Sequence, residues 1–239
     1  MKESYEIIEK IKLFESQHKN IVISYGGDGT LLKTFHENPN KCIIPIRDYG
    51  RCEKHDNLLN EVIDIKRNKS DFKNEFRLKL GDLIECDGIE AMSEIQITSS
   101  NPTQCLRMNV SVNSKRFMDN VIASGIILST PIGATGYFKS VSRTIFRDGF
   151  GLGFICPTYG INNIVLKPTD WVDIEFIRSG KAHICWDNVI KDIDIEEGMK
   201  KTFRLSCSHV SLLGYDMFMC QDCRNNRNST NINDKYVVI

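Results

Sequence analysis

No stretch of this 239-residue chain approaches the ~18 consecutive apolar residues that a membrane-spanning helix needs. Its opening, Met1-Lys2-Glu3-Ser4-Tyr5-Glu6, carries acid where a secretory leader would be basic and then apolar. An excess of charge is also missing: 31 basic residues balance 31 acidic ones, and no long basic run marks a nucleic-acid footprint. The five histidines form no H-x-x-H or H-E-x-x-H pair. The nine cysteines are odd in number, scattered, and mostly set in apolar runs such as Cys42-Ile43-Ile44 and Phe154-Ile155-Cys156, as reduced core thiols are. Only Cys220 and Cys223 have ligand spacing, and a zinc site needs a second pair, so no metal ligand is assigned. The expectation is a cytoplasmic protein that needs neither membrane nor nucleic acid. With 41% hydrophobic residues the chain has enough apolar surface for a core.

What is present concentrates first at residues 21–35. An apolar strand, Ile21 to Tyr25, runs into Gly26-Gly27-Asp28-Gly29-Thr30 and then into helical Leu31-Leu32-Lys33-Thr34-Phe35. Three glycines in four positions permit φ > 0 and close approach to a ligand, and a helix opened by Thr30 offers amides to an anion. The spacing is neither a Walker loop nor the dinucleotide G-x-G-x-x-G pattern. Asp28 would repel a phosphate unless it served a hydroxyl or a proton in transit, which points to phosphoryl transfer to an alcohol. The alternative is a tight turn whose aspartate caps the helix.

Periodicity divides the chain. A helix over residues 4–18, the strand Ile21–Tyr25, a helix to about His36, a break at Asn38-Pro39-Asn40, the strand Cys42–Ile46 and a helix over Asp56–Asn68 read as an α/β domain. From about Asn74 short alternating runs take over: Phe76–Leu80, Glu94–Ile97, Cys105–Val112, Val121–Leu128, Ile164–Leu166, Val172–Phe176, Ala182–Trp186 and Phe203–Leu205. These predict a larger antiparallel, sandwich-like β domain. The expected division is 1–72, 73–215 and a tail at 216–239, with the Asn-rich Arg224–Asp234 mobile.

Inside the β-rich part, Ile126-Ile127-Leu128 leads into Ser129-Thr130-Pro131-Ile132-Gly133-Ala134-Thr135-Gly136-Tyr137. The hydroxyls of Ser129, Thr130 and Thr135, the glycines Gly133 and Gly136, and the Tyr137 ring suit a nucleoside. An ordinary strand-to-helix connection is the competing reading.

Together the two motifs resemble those of the NAD kinase family, in which Gly-Gly-Asp-Gly-Thr precedes Thr-Pro-Thr-Gly-Ser-Thr-Ala-Tyr. The resemblance runs over residues 20–215. It implies an NAD kinase-like fold with a nucleotide cleft between the two domains, transfer of phosphate from ATP or another donor to the adenosine 2′-hydroxyl of NAD, Mg2+ or a similar divalent cation, and a homodimer or homotetramer built through the β-rich domain. It also implies roles. Asp28 is the proton acceptor, with Gly26, Gly27, Gly29 and Thr30 around it and Lys33 a further contact. Ser93, Glu94, Arg107, Ser124, Thr135, Tyr137, Ser140 and Asn188 fall at substrate-contact positions, beside Ser129, Thr130 and Gly133. Ser93 and Ser124 stand where the family has Asn and Asp, Ile132, Ala134 and Gly136 where it has Thr, Ser and Ala, and Arg47-Asp48-Tyr49-Gly50-Arg51-Cys52 where it has an Asn-containing loop. A dinucleotide-binding protein with reduced catalysis is one alternative. A diacylglycerol or sphingosine kinase, which shares the glycine turn but lacks the second motif in this form, is another.

Overall fold

The computed structural model describes residues 2–47, 59–62 and 76–220. The chain forms two compact units, Met1–Lys79 with Ser211–Ile239, and Leu80–Val210.

The first unit is α/β. Helix α1 (Lys2–Gln17) precedes β1 (Ile21–Tyr25), α2 (Asp28–Glu37) and β2 (Cys42–Ile46). Strands β1 and β2 pair in parallel from Ile21↔Cys42 to Tyr25↔Ile46, and Leu212, near the end of β13 (Lys200–Leu213), pairs in parallel with Ile43. β-branched residues fill the middle of both strands, where they are buried on both faces, as parallel strands require. On one side Phe14 of α1 packs with Ile23, Ile44, Ile46, Leu59, Val62, Phe76 and Leu213. Helix α2 buries Leu31 and Phe35, one turn apart, and ends at Asn38 because Pro39 cannot continue it. Of the helix expected over Asp56–Asn68, residues 59–62 are helical and the rest lie outside the described residues. So do Asp48–Cys52, Cys223 and the Asn-rich stretch Arg224–Asp234.

The second unit is antiparallel. Its strands are β3 (Leu78–Cys86), β4 (Ile89–Ala91), β5 (Glu94–Ser99), β6 (Leu106–Val112), β7 (Lys115–Ser129), β8 (Phe150–Pro157), β9 (Ile164–Leu166), β10 (Trp171–Phe176), β11 (Gly180–Trp186), β12 (Val189–Ile195) and most of β13. The hydrogen-bonded order is β13-β10-β6-β7-β5-β11-β12, with β8 on the other side of β7 and β9 beyond it. β7 gives its first half to β6, from Val112↔Lys115 to Leu106↔Ala123, and its second half to β5, from Thr98↔Gly125 to Glu94↔Ser129. Changing partners along one strand lets the sheet fold over its own core. That core takes alternate residues of each strand: Ile95 and Ile97, Met108 and Val110, Val172, Ile174 and Phe176, Ala182 and Ile184, with Phe150, Phe154 and Phe203.

Two local expectations need correction. Helix α2 starts at Asp28 rather than Thr30, because Gly27 is extended (φ −90°, ψ −170°) and acts as N-cap without a side chain. Among the three glycines of the turn only Gly26 has positive φ, at 152°. The cysteines also differ from the core-thiol expectation. Of the seven described, only Cys86 is buried, and Cys156, expected inside, is exposed.

Candidate active site

In the first unit the glycine turn is shaped by contact rather than by flexibility. A Cβ on Gly26 would lie 2.4 Å from Thr30 Oγ1, so glycine lets Thr30 fold back over the turn. The Gly26 amide donates to Ile46 O at 2.8 Å, and Leu31 N donates to Gly27 O at 3.1 Å to close the first helical turn. Asp28, Gly29 and Thr30 are exposed there, at the electropositive end of a ten-residue helix. The Asp28 side chain is 50% exposed, and Arg47 Nη2 donates to its Oδ1 at 2.9 Å. Arg47 follows β2 and is buried, with its guanidinium 3.7 Å from the Phe218 ring centroid and its Nε donating to Phe218 O at 3.3 Å. Phe218 closes the short helix α4 (Tyr215–Phe218). Lys33 sits on the exposed side of α2, 3.7 Å from Glu37.

In the second unit three distant segments meet around Met92 and Ser93. The buried Asp187 carboxylate accepts both of their amides, at 2.6 and 2.8 Å. Thr130 takes their carbonyls: its hydroxyl donates to Met92 O at 2.6 Å, and its amide to Ser93 O at 2.9 Å. The same hydroxyl accepts the amides of Ile132 and Gly133 at 3.2 and 3.3 Å. A Cβ on Gly133 would meet Ser93 O at 2.2 Å, so this glycine serves contact between two backbones. Ser129 and Thr130 are buried and brace the loop. Beyond them Gly133–Thr135 forms one 3-10 turn and Tyr137–Ser142 forms α3, with Thr135, Tyr137 and Ser140 exposed.

Ser93 donates its hydroxyl to Glu94, which opens β5 opposite Ser129. Burial pushes the Glu94 carboxyl up to about 6; hydrogen bonds from Ser93 and Gln96 oppose the rise and the Asp187 charge adds to it. The Tyr137 phenol is raised by burial, then by Cys156 and Glu94, which places these groups within electrostatic range of one another. Asn188 is exposed at φ 69° in the turn beside Asp187. Arg107 is exposed on β6 opposite Ile122, and Ser124 lies two residues further along β7, half-buried on the same side of the pleat. No hydrogen bond ties either residue to the loop among those described.

Sequence reasoning missed Arg47 and Asp187 as parts of these sites. Arg47 was signalled only by a charge directly after an apolar strand, and Asp187 by an Asp-Asn pair directly after the strand-like run Ala182–Trp186, the composition of a tight turn. Among the described residues no three His, Cys, Asp or Glu converge, and no helix is long and apolar enough to cross a membrane.

The family model of the ATP-NAD kinase C-terminal domain matches residues 92–214, from the Met92 corner past the loop. The chain is 30% identical over 174 residues to the NAD kinase of Methanosphaera stadtmanae, covering 69% of this chain and 62% of that protein. It is 23% identical over 230 residues to the NAD kinase of Lactobacillus delbrueckii subsp. bulgaricus, covering 87% and 85%. Among solved structures, yeast NADH kinase complexed with NADH superposes with a TM-score of 0.69 at 16% identity, covering 92% of this chain and 68% of that one. An NAD kinase from Archaeoglobus fulgidus in complex with ATP gives 0.65 at 22% identity, covering 88% and 85%. The chain belongs to the NAD kinase family, and its fold is that of NAD kinases.

The raised Glu94 carboxyl makes a stability prediction. Folded Glu94 holds its proton more tightly than the unfolded chain, so its contribution favours folding at low pH and is lost as pH rises from 4.5 to about 6. Across that window the wild type should lose about 2 kcal/mol relative to Glu94→Gln. Urea unfolding read by Trp171 and Trp186, both in the second unit, checks this at pH 4 and 7. A difference between the two proteins that does not change with pH would contradict it.

Proposed function

We propose that this protein is an ATP-dependent phosphotransferase of NAD kinase type that phosphorylates the adenosine 2′-hydroxyl of NAD. The observation that carries the reading is Asp28: a half-exposed carboxylate at the start of α2, held by Arg47, in a family whose members are NAD kinases. Asp28 accepts the proton of the 2′-hydroxyl as its oxygen bonds to the γ-phosphorus, and the bond to the departing ADP breaks. The glycine-turn amides and the α2 N-terminus stabilise the phosphoryl oxygens. Glu94 accepts hydrogen bonds from a ribose diol, the Tyr137 ring stacks on a flat face, and Thr135, Ser140 and Asn188 supply polar contacts. Ser129, Thr130 and Gly133 act by holding the loop in shape. Residues 1–72 thus handle phosphate, and 73–215 recognise the nucleoside.

Relatives support this donor and acceptor: the Archaeoglobus fulgidus enzyme was solved with ATP and the yeast enzyme with NADH. A resident divalent cation does not fit the described residues, since no cluster of carboxylates or histidines forms and Asp28 already pairs with Arg47. No step is routed through one, and the cation that accompanies ATP counts as part of the substrate. A cytoplasmic homo-oligomer completes the reading. A lipid kinase is disfavoured by the match over 92–214, which contains the hydroxyl-rich loop.

Asp28→Asn preserves shape and removes the proton acceptor. Turnover of NAD to NADP should fall about 10²- to 10⁴-fold with far-UV circular dichroism unchanged; near-wild-type turnover would take Asp28 out of the mechanism. The serines give a second test. The Ser93 hydroxyl is already committed to Glu94, and Ser124 offers no charge. Each lost contact costs roughly 0.5–1.5 kcal/mol, or up to about 3 to a charged group, so NAD should bind about one to three orders of magnitude more weakly than with Asn and Asp there. Ser93→Asn with Ser124→Asp should lower the KM for NAD. A double variant that binds NAD no better, together with no NADP formed by wild type at millimolar NAD, would mean another acceptor.

A further inference from the structure

Arg47 is the one basic side chain among the buried described residues, and it makes contacts on three sides. Its face lies on Phe218, its Nε donates to Phe218 O, and its Nη2 donates to Asp28 Oδ1. Its Nη1 is buried with no hydrogen-bond partner. Stability alone accounts poorly for this arrangement. An apolar side chain of similar length would fill the same space and leave no buried donor unmet, and such replacements of buried ion pairs are often neutral or stabilising. What only a guanidinium supplies is a fixed, charged fork against one oxygen of Asp28 while half of the Asp28 side chain faces solvent.

We propose that Arg47 is a positioning residue for Asp28: it sets the orientation of the carboxylate, and it acts on the reaction only through Asp28. The inference rests on the phosphotransferase reading above. Among the described residues, other charged groups on the surrounding elements make contacts elsewhere. Lys33 pairs with Glu37 on the outer side of α2, Asp216 of α4 pairs with Arg77, and Glu15 of α1 accepts the Ile23 amide. His36 is in the last turn of α2, at the opposite end of the helix from Asp28. Among the described residues, Arg47 is thus a cation seated directly against Asp28. A carboxylate is ionised at neutral pH without help, so the main effect of Arg47 at that pH is orientation. A base displaced by about 1 Å can lose about 10²-fold in rate.

The test is steady-state kinetics of the full chain with NAD and magnesium-ATP across pH, for wild type, Arg47→Met, Arg47→Lys and Phe218→Leu. Arg47→Met should lower kcat about 10- to 100-fold, with KM for both substrates within about threefold of wild type. The acid limb of its kcat/KM profile should move to higher pH, since an adjacent cation favours the ionised acid and its loss removes that help. Arg47→Lys, which keeps the charge without the fork, should recover part of both effects. Phe218→Leu removes the ring beneath the guanidinium and should shift kcat and the acid limb in the same directions by less, so it decides the matter should Arg47→Met not fold. A folded Arg47→Met with wild-type kcat, or with a reduced kcat and an unmoved acid limb, overturns the proposal. So does an unchanged Phe218→Leu profile. A wild type that forms no NADP under any of these conditions overturns the phosphotransferase reading, and this inference with it.

Discussion

Two consecutive peptide units, those of Met92 and Ser93, hold the second unit's site together. At the corner between β4 and β5 their N–H and C=O groups leave the ladder, and buried backbone polar groups without partners cost about 1–3 kcal/mol each. Asp187 takes both amides from the β11–β12 turn, and Thr130 takes both carbonyls from the end of β7. Segments some forty and ninety residues away are thereby fixed against the strand that carries Glu94. Gly133 completes the arrangement, because any side chain there would strike Ser93 O. The burial that lifts Glu94 to about 6 follows from this closure, with the Asp187 charge a smaller contribution in the same direction. The exposed hydroxyls and the Tyr137 ring lie just beyond the braced stretch, so a rigid base presents solvent-facing contacts.

The first unit solves a different problem by different means. Its turn exposes a carboxylate at the start of a helix. Thr30 folds over Gly26, the Gly26 amide reaches Ile46, and Arg47, next along the chain, reaches back to Asp28. The same strand end therefore anchors both sides of the turn. α4 adds the ring and carbonyl that hold Arg47 flat. Chain from 42–47 and from 215–218 thus contributes to a feature that looks local in the sequence.

That difference explains what could be read in advance. The strand-turn-helix was legible because its signals are adjacent: β-branched Ile21–Ile23, glycines, then Leu31 and Phe35 at helical spacing. Helix α2 starts two residues before Thr30, whose side chain packs against Gly26 instead of capping the helix. Alternation revealed most strands of the second unit. β8 escaped because Gly151 and Gly153 resemble a loop, although a Cβ on either would crowd the Phe138 ring. β12 escaped because it is largely exposed and charged. Arg47 and Asp187 were illegible as functional parts for one reason: each acts through a partner 19 or 94 to 95 residues away, and no periodicity encodes such a pairing.

The central claim is that this chain moves a phosphoryl group from a nucleotide to the 2′-hydroxyl of NAD. The most direct measurement is the fate of label from ATP carrying 32P in its γ-phosphate, incubated with NAD and the wild-type protein and separated by chromatography. The account predicts label in a dinucleotide that alkaline phosphatase releases as inorganic phosphate, as from a 2′-phosphomonoester. Label that stays in ATP, or appears only as inorganic phosphate while NAD is unchanged, would contradict it.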